Sequence, residues 1–362
     1  MYLTKQYPQI HTCNRRNGKR YDHITGKYTY LIAINLFNNE EILPAMMHNL
    51  IKLIDQYFLK NVYLRIYESG STDKTKEILA EFYYLLKDRG IDFEIETSPI
   101  IKNTRDDNRI DYLVHIRNYA LEPLLKKRIK VDHVLFFNDI FFCYDDVLEL
   151  IHQQHLNNAF LTGGMDYTIA PWEAFLFYDS WVTQDIDGRH PADWEVGQQI
   201  PVMNPEDKER HSKLLPIQMM CLWNGMVSLN ATIFENSNFT FRRGLNQNKN
   251  DDVPGECAAS EITTFCLDMI KNGFGKLLMV PQVKVAYTTK AYNLLKFEDN
   301  FFTKKYPLNA PHSPEEDIPI EWKPFGKTQD CWPYLTGFRG RENINRGNYE
   351  ETIPVPKINN VY

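Results

Sequence analysis

The 362-residue sequence lacks several features that would assign it to common protein classes. It has no run of the ~18 to 20 apolar residues that a membrane-spanning helix requires, and its N-terminal segment lacks the apolar centre of a signal peptide. Its 6 cysteines include no Cys-x-x-Cys pair, which argues against a zinc module. Acidic and basic residues are mixed along a chain of formal net charge −6, so no basic stripe indicates a nucleic-acid partner. We therefore expect a chain without a membrane span and without a nucleic-acid surface.

Apolar strands alternate with amphipathic helices through the first 150 residues. Strands are predicted at 28–37, 61–69, 91–97 and 133–142, with helices at 42–58, 76–90 and 109–126 between them. This alternation predicts an α/β fold whose mostly parallel central sheet is flanked by helices, with ligands at the carboxyl ends of the strands. The second half is less regular: the predictions there are loop at 195–213, strand and turn at 214–234, helix at 258–272 and strand at 276–288.

The second strand ends at the sequence ESGSTD (68–73). At this place in a nucleotide-binding sheet, a carboxylate can accept hydrogen bonds from the ring and amino N–H groups of a base. Glu68 is therefore a candidate base-binding residue, with Ser69 beside it. In the alternative interpretation, Ser71 and Asp73 only cap the next helix and Glu68 is a surface charge.

The strand at 133–142 carries the sequence NDI (138–140). A carboxylate at the mouth of an apolar strand can hold Mn²⁺ or Mg²⁺ on a diphosphate and neutralise its charge. Asp139 is the predicted metal ligand, with Asn138 next to it on the donor. A literal Asp-x-Asp occurs at 185–187, in a polar loop, and is the alternative metal motif.

Four further segments carry candidate site residues. Arg117, on the helix before the metal strand, could bind donor phosphates or fix a carboxylate, or it could be an exposed helix charge. The sequences GGMD (163–166) and WNG (223–225) suit a sugar pocket, although tight turns around a buried Trp would look the same. Glu261 opens a helix, where it could act as a catalytic or acceptor-binding carboxylate or simply as a helix cap.

Many short motifs, in order from about residue 30 to 290, resemble the fungal capsule-associated alpha-1,3-mannosyltransferase family, glycosyltransferase family 69. They are INLFNNEEILP, YESGSTDKT, HIRNYALEPL, VLFFNDIFFCYDDVLELI, GGMDY, FYDSWVTQDIDGR, CLWNGM, FRRG, GECAASEITTFCLDM and VPQVKVAYT. The resemblance implies a GT-A type nucleotide-sugar-binding fold, GDP-mannose as the donor, a divalent cation, and transfer to a sugar hydroxyl in polysaccharide biosynthesis. It also implies an α-linked product from an α-linked donor, which is net retention.

These observations define the predicted site. The base is assigned to Glu68 and Ser69, the diphosphate and metal to Arg117, Asn138 and Asp139, catalysis to Glu261, Asp185 and Asp166, and the acceptor to Trp223, Asn224 and Asp187. One alternative is a sugar nucleotidyltransferase, against which the lack of glycine in LFNNEEILP (36–44) argues. The other is a non-catalytic carbohydrate-binding protein, since 13% of the residues are aromatic.

The expected organisation is an extended lead-in over 1–28, a catalytic domain over 29–292 and a wrapping tail over 293–362. Within the catalytic domain, 29–150 is the donor-binding half and 151–292 the irregular acceptor-side half. Members of the resembled family carry an N-terminal anchor and work in the Golgi lumen. We therefore expect the Golgi lumen if an anchor has been removed from this chain, and the cytoplasm otherwise.

Overall fold

The computed structural model describes residues 18–98, 109–169, 175–191, 204–235, 239–244, 260–297, 317–331 and 351–354. The strands are β1 (Tyr30–Leu36), β2 (Val62–Glu68), β3 (Asp92–Thr97), β4 (His133–Phe137), β5 (Leu161–Ile169), β6 (Phe175–Phe177), β7 (Gln184–Asp185), β8 (Ile217–Cys221), β9 (Met226–Asn230), β10 (Leu277–Ala286), β11 (Thr328–Cys331) and β12 (Glu351–Pro354). The helices are α1 (Leu43–Leu53), α2 (Thr75–Asp88), α3 (Arg109–Ala120), α4 (Glu122–Leu125), α5 (Tyr144–Leu156), α6 (Pro205–Ser212), α7 (Glu261–Lys271) and α8 (Thr289–Phe297).

Strands β1 to β10 form one sheet in the order β3-β2-β1-β4-β9-β5-β10-β8-β7, with β6 paired to β5. The pairs β3-β2, β2-β1, β1-β4 and β5-β10 are parallel. β9 runs antiparallel between β4 and β5, so both halves of the chain share one continuous sheet. Helix α3 packs on β1 and β2, and α5 packs on β5, β9 and β10. The predicted α/β fold with a mostly parallel, helix-flanked sheet is confirmed.

The parallel strands end together at one edge of the sheet. Their apolar runs are buried, with 0% exposed surface at Ile32, Ile34 and Phe136, as expected of strands covered on both faces. In the register of β1 and β2, Leu36 lies beside Glu68. Because Asp139 follows β4, which also pairs in parallel with β1, this register brings the ends of β2 and β4 to the same edge.

Helix α7 is fixed at both ends and tied to the sheet. The Oγ of Ser260 accepts the backbone N–H of Thr263 at 3.1 Å and caps the N-terminus. Gly273, with φ +86°, follows the C-terminus, as in a left-handed helix cap. A disulfide joins Cys221 of β8 to Cys266 of α7. The first residue of α7, Glu261, is therefore held in a fixed position.

Two predicted segments differ in the structure. Part of the expected loop at 195–213 forms α6, because the Oδ1 of Asn204 accepts the N–H of Glu206 at 2.9 Å and Pro205 occupies the first turn. The lead-in is not extended throughout: residues 18–21 form a 3₁₀ turn because Tyr21 packs into the core, where it is 1% exposed. Residues 1–17 lie outside the described residues.

Residues 317–331, which lie in the predicted tail, are hydrogen-bonded to residues of the predicted catalytic domain. The N–H of Ile320 donates to Asn157 Oδ1 at 2.7 Å, and the N–H of Lys323 donates to Gln218 Oε1 at 2.9 Å. The expected tail boundary at 293 falls inside α8; the other domain limits stay predictions. Within the described ranges, no helix combines the length and apolar character needed to cross a bilayer.

Candidate active site

The loops that follow β1 and β2 interlock through their side chains. The N–H of Asn38 donates to Ser71 Oγ at 2.8 Å, and the N–H of Thr72 donates back to Asn38 Oδ1 at 2.9 Å. Beside them, the N–H of Asn39 donates to Thr75 Oγ1 at 2.7 Å, and its side-chain Nδ2 donates to Asp139 Oδ2 at 3.2 Å. The half-buried carboxylate of Asp139 is therefore oriented by Asn39, a residue that the sequence prediction missed.

Glu68 is fully buried and partly used by the turn that follows it. Its Oε1 accepts a short hydrogen bond from the backbone N–H of Ser71, and Lys76 Nζ lies 3.9 Å from its Oε2. That Oε2 has no hydrogen-bond partner in the described structure. Ser69 Oγ donates to the Leu36 carbonyl at 3.0 Å. Glu68 thus holds the turn through one oxygen, and the nearest cation to its other oxygen that the described contacts show is Lys76 Nζ.

Arg117 is buried, so the interpretation as an exposed helix charge is wrong. Its Nε donates to Glu261 Oε1 at 2.8 Å, and its Nη1 donates to Asn138 Oδ1 at 3.3 Å. The guanidinium carbon lies 5.0 Å from the centre of the Trp223 ring and 5.5 Å from that of Phe136, which is cation–π geometry. Arg117 therefore connects Glu261 to the predicted metal motif.

Glu261 is 1% exposed and is the first residue of α7. Ser260 supplies the helix cap, so capping does not account for the Glu261 side chain. Its Oε1 pairs with Arg117, whereas its Oε2 has no hydrogen-bond partner within the described residues. A buried carboxylate oxygen without a partner is costly, which favours a ligand at this position.

A second group of polar side chains surrounds Asp166, within β5. Asp166 Oδ1 accepts the backbone N–H of Asp179 at 3.1 Å and the side-chain Nδ2 of Asn224 at 3.2 Å. Asn138 Nδ2 donates to the phenolic oxygen of Tyr287 at 3.2 Å, which joins this group to the metal motif. Sequence reasoning missed Asp179 and Tyr287.

Burial controls the ionisation of this second group. It raises the pKa of the fully buried Asp166 to about 6, against partial compensation from its hydrogen bonds to Asp179 and Asn224. Burial, and then the charge of Asp166, raise the pKa of Asp179 well above its ordinary value. Burial likewise raises the pKa of the Tyr287 phenol. Carboxyl groups whose pKa is strongly shifted, beside an apolar sheet edge, are typical of functional sites.

A family model described as Cryptococcal mannosyltransferase 1 matches residues 29–268. The chain belongs to this family. It is 32% identical over 275 residues to the alpha-1,3-mannosyltransferase CMT1 of Cryptococcus neoformans var. neoformans serotype D (strain JEC21 / ATCC MYA-565). That match covers 71% of this chain and 57% of the relative's length. The family predicted from the sequence motifs is confirmed.

Two solved structures are also similar. The mannosyltransferase PcManGT from Pyrobaculum calidifontis, in complex with GDP-Man and Mn²⁺, has a TM-score of 0.42 at 9% identity, over 77% of this chain and 59% of that one. GalNAc-T7, with UDP, GalNAc and Mn²⁺, has a TM-score of 0.43 at 14% identity, over 72% of this chain and 43% of that one.

In this member of the family, the predicted acceptor contacts of Trp223 and Asn224 need correction, because both buried side chains are already engaged by other residues of the fold. The Trp223 ring packs against Phe136 at 5.2 Å and Phe241 at 5.4 Å between centres, so no face of it is open to a sugar. Asn224 instead positions Asp166. The alternative of turns packed around a buried Trp describes this segment better.

The Asp-x-Asp motif at 185–187 builds a turn. Asp185 Oδ1 accepts the N–H groups of Asp187 and Arg189, each at 3.0 Å, and the N–H of Gly188 donates to the Asp185 carbonyl at 2.9 Å. Asp187 Oδ2 accepts from Asn204 Nδ2 at 3.4 Å. Gly188 has φ +77°, and a Cβ there would lie 2.6 Å from the Thr328 carbonyl oxygen. These contacts support a structural role for both aspartates.

One cluster of potential metal ligands occurs in the described ranges, at Cys143, Asp145 and Asp146. Cys143 is disulfide-bonded and so has no thiolate to offer. Asp146 Oδ2 accepts the N–H of Cys143 at 2.9 Å in a capping box that starts α5, so this carboxylate is used by the helix N-terminus. Asp139, a half-buried carboxylate beside two amide side chains, offers the oxygen ligands that Mn²⁺ and Mg²⁺ prefer.

Proposed function

We propose that the chain is a metal-dependent glycosyltransferase of the GT-A type that transfers mannose from GDP-mannose to a carbohydrate hydroxyl, with retention and an α-linked product. The observation that carries this proposal is Glu261, a buried carboxylate with one oxygen held by Arg117 and the other without a partner in the described structure. Arg117 also bonds Asn138, next to Asp139. A reactive carboxylate is thereby coupled to the place where a diphosphate would bind.

In this proposal Asp139 holds Mn²⁺ or Mg²⁺, which neutralises the charge of the departing diphosphate. A single protein carboxylate is a suitable anchor, because these ions take most of their other ligands from phosphate and water. Asn39 orients the carboxylate through its hydrogen bond to Asp139 Oδ2. Glu68 Oε2 reads the ring and amino N–H groups of guanine, with Ser69 fixing the strand end.

Arg117 takes a role different from direct phosphate binding. Because it lies between Glu261 and Asn138, it holds the Glu261 side chain in position while the donor binds next to it. In a retaining transfer the leaving and attacking oxygens use the same face of the sugar. The Glu261 oxygen without a partner is then placed to stabilise the positive charge at the reacting carbon or to attack it. On the acceptor side of the site, Asp166 takes the role that the sequence had assigned to Asp185.

The two alternatives are less well supported. A sugar nucleotidyltransferase needs a phosphate-binding loop after β1, where this chain instead has side-chain hydrogen bonds through Asn38 and Asn39. A carbohydrate-binding protein has no use for an Arg117–Glu261 pair buried beside a metal motif. The disulfide between Cys221 and Cys266 fits an oxidising compartment, so we propose the Golgi lumen over the cytoplasm.

Titration with GDP, UDP and CMP, each with and without Mn²⁺, tests the proposal. We expect Mn²⁺-dependent binding that is tightest for GDP, followed by transfer of mannose from GDP-mannose to a mannoside. A carbohydrate-binding protein would show no metal-dependent nucleotide affinity, and that result would exclude the glycosyltransferase. A nucleotidyltransferase would release diphosphate from GTP and mannose 1-phosphate.

A further inference from the structure

Two tyrosine rings lie together at the surface beside the Asp166 group. Tyr178, directly after β6, is 38% exposed, which makes it one of five exposed large hydrophobic side chains among the described residues. Its ring centre lies 4.4 Å from that of Tyr287, with the two planes inclined by 48°. Tyr287 is half-buried and follows β10. Such a pair offers an accessible aromatic surface. Because Tyr178 is exposed, core packing does not account for its position.

Asp179, next to Tyr178, is half-buried and held by its backbone. Its N–H donates to Asp166 Oδ1 at 3.1 Å, and its carbonyl accepts from Thr183 Oγ1 at 2.8 Å. The N–H of Tyr178 donates to the Asp166 carbonyl at 2.9 Å. The Tyr178-Asp179 segment is therefore fixed on both sides, which is the rigidity that a binding site requires.

This surface adjoins the reacting centre. The Tyr287 phenol accepts a hydrogen bond from Asn138, the neighbour of the proposed metal ligand Asp139. The charges of Arg117 and Glu261 both act on the Asp179 carboxyl group. Glu261, 1% exposed, also has an oxygen without a hydrogen-bond partner in the described part of the chain. The tyrosine pair and the Asp179 carboxyl group thus adjoin the residues proposed for metal binding and catalysis.

We propose that Tyr178, Asp179 and Tyr287 form the subsite that binds the acceptor, a pyranose with adjacent hydroxyl groups. The tyrosine rings cover the C–H face of the sugar, and Asp179 accepts hydrogen bonds from its hydroxyls. We assign the acceptor and not the donor sugar to this subsite because Tyr178 and Asp179 belong to the β5–β6 side of the sheet, across Asn138 from the β1–β2 end. This inference rests on the proposed function for the identity of the sugar.

The test measures sugar binding and nucleotide binding separately on the same protein. Calorimetric titration with a mannose disaccharide, without nucleotide, should show about tenfold weaker binding for Tyr178→Ala and for Asp179→Asn, and near-normal binding for Tyr178→Phe. Tyr84→Ala removes a ring that is 65% exposed on α2 and should change nothing. GDP affinity in the presence of Mn²⁺ should be the same in all four variants.

Three outcomes separate the hypotheses. Unchanged disaccharide binding in Tyr178→Ala and Asp179→Asn would overturn the acceptor subsite. Weaker binding of GDP-mannose than of GDP in these variants, with disaccharide binding intact, would overturn it too, by assigning the surface to the donor sugar. If the variants lose disaccharide binding and the wild-type protein does not bind GDP, the result would support the subsite and reject the proposed transferase.

Discussion

The site lies along one edge of the sheet, and the polar side chains at its two ends have different partners. One end comprises the loops after β1 and β2 (the β1–β2 end), and the other comprises β5 and the start of α7 (the β5–α7 end). At the β1–β2 end, Asn38, Ser71 and Thr75 are engaged with backbone groups, and their hydrogen bonds lock two loops together. At the β5–α7 end, the buried carboxyl groups of Asp166 and Glu261 are each hydrogen-bonded through one oxygen, and burial raises the pKa of Asp166. The first end is mostly scaffold and holds one buried acid, Glu68, whereas the second gathers the buried acids Asp166 and Glu261.

This difference indicates where stability is sacrificed for function. Natural proteins usually break the rules of core packing at sites that bind or react, and compensate elsewhere. The β1–β2 end follows those rules except at Glu68, whose Oε2 is buried without a hydrogen bond in the described structure. The β5–α7 end breaks them with buried acids next to aromatic rings. Substitutions at the first end should therefore affect nucleotide affinity, and those at the second should affect turnover.

Asp139→Ala should have the largest effect of any single substitution. Losing the metal ligand removes charge neutralisation worth several kcal/mol in the transition state, so transfer should fall on the order of 1,000-fold and Mn²⁺-dependent GDP binding should disappear. Transfer rates and GDP titrations measure both effects.

Asp132→Ala is the matched control for Asp139. Asp132 lies just before the opposite end of β4, where its Oδ2 accepts from the N–H and Oγ1 of Thr29, each at 2.8 Å. This variant should lower the melting temperature and spare transfer. Near-normal activity of a folded Asp139→Ala protein would contradict the assignment and make Asp185 and Asp187 the metal candidates.

Glu261→Gln should follow, with a loss of at least ~100-fold in turnover, because one electrostatic contact at the reacting centre commonly contributes that much. Gln preserves the volume and can still accept from Arg117 Nε, so the fold and the GDP affinity should hardly change. The comparable first helical residue Glu122, on α4, pairs on the surface with Lys126 and Arg128, and Glu122→Gln should keep full turnover. A Glu261→Gln protein with a normal rate and a lower melting temperature would leave Glu261 a structural residue.

Asp166→Asn should stabilise the protein while slowing transfer. Since burial raises the pKa of Asp166 from its ordinary 3.8 to about 6, the folded state binds the proton more tightly than the unfolded state. The stability that this more tightly bound proton contributes is therefore lost as the pH rises from about 4 to about 6. At pH 7 the ionised, buried Asp166 still destabilises the folded state. Asn still accepts from Asp179 and Asn224, and should increase the free energy of unfolding at pH 7 by roughly 2–3 kcal/mol.

Urea unfolding between pH 4 and pH 8 measures this difference. As the pH rises from about 4 to about 6, the free energy of unfolding of the wild-type protein should decrease. The free energy of unfolding of Asp166→Asn should change less over the same range. A variant less stable than the wild type at pH 7 would mean that the buried carboxylate stabilises the fold, and the contrast between the two ends would fail.

The sequence predicted the elements whose signals are local. Apolar runs and the glycine at 90 located β1, β2, β4 and α2, and the parallel-sheet rule then placed Glu68 and Asp139 at one edge. Helix α6 was missed because its polar sequence has no apolar periodicity. The Asn-Pro pair at 204–205 was the signal that could have found it.

Residues whose place depends on distant pairing were harder to predict. Tyr287 and Asp179 reach the site only because β9 inserts antiparallel between β4 and β5 and β10 pairs with β5, and no local pattern encodes that register. Trp223 was misplaced because a large ring beside a glycine turn has the same sequence whether it is buried or exposed. The aspartates at 185 and 187 look like a metal motif, although Gly188 already indicated the turn that they stabilise.

The smallest effect, on nucleotide selectivity, comes from Glu68 at the scaffold end. Glu68→Gln keeps an oxygen for the Ser71 N–H but replaces Oε2 with an amide that donates hydrogen bonds. Guanine presents both a ring N–H and an amino group there, and uracil only one N–H, so GDP affinity should fall about tenfold and UDP affinity less. Glu77→Gln, at an exposed position in the first turn of α2, should leave both affinities unchanged. Equal losses for GDP and UDP would show that Glu68 does not read the base. A lower melting temperature with unchanged affinities would make Glu68 part of the scaffold and leave Asp139 as the ligand-binding group at that end of the sheet.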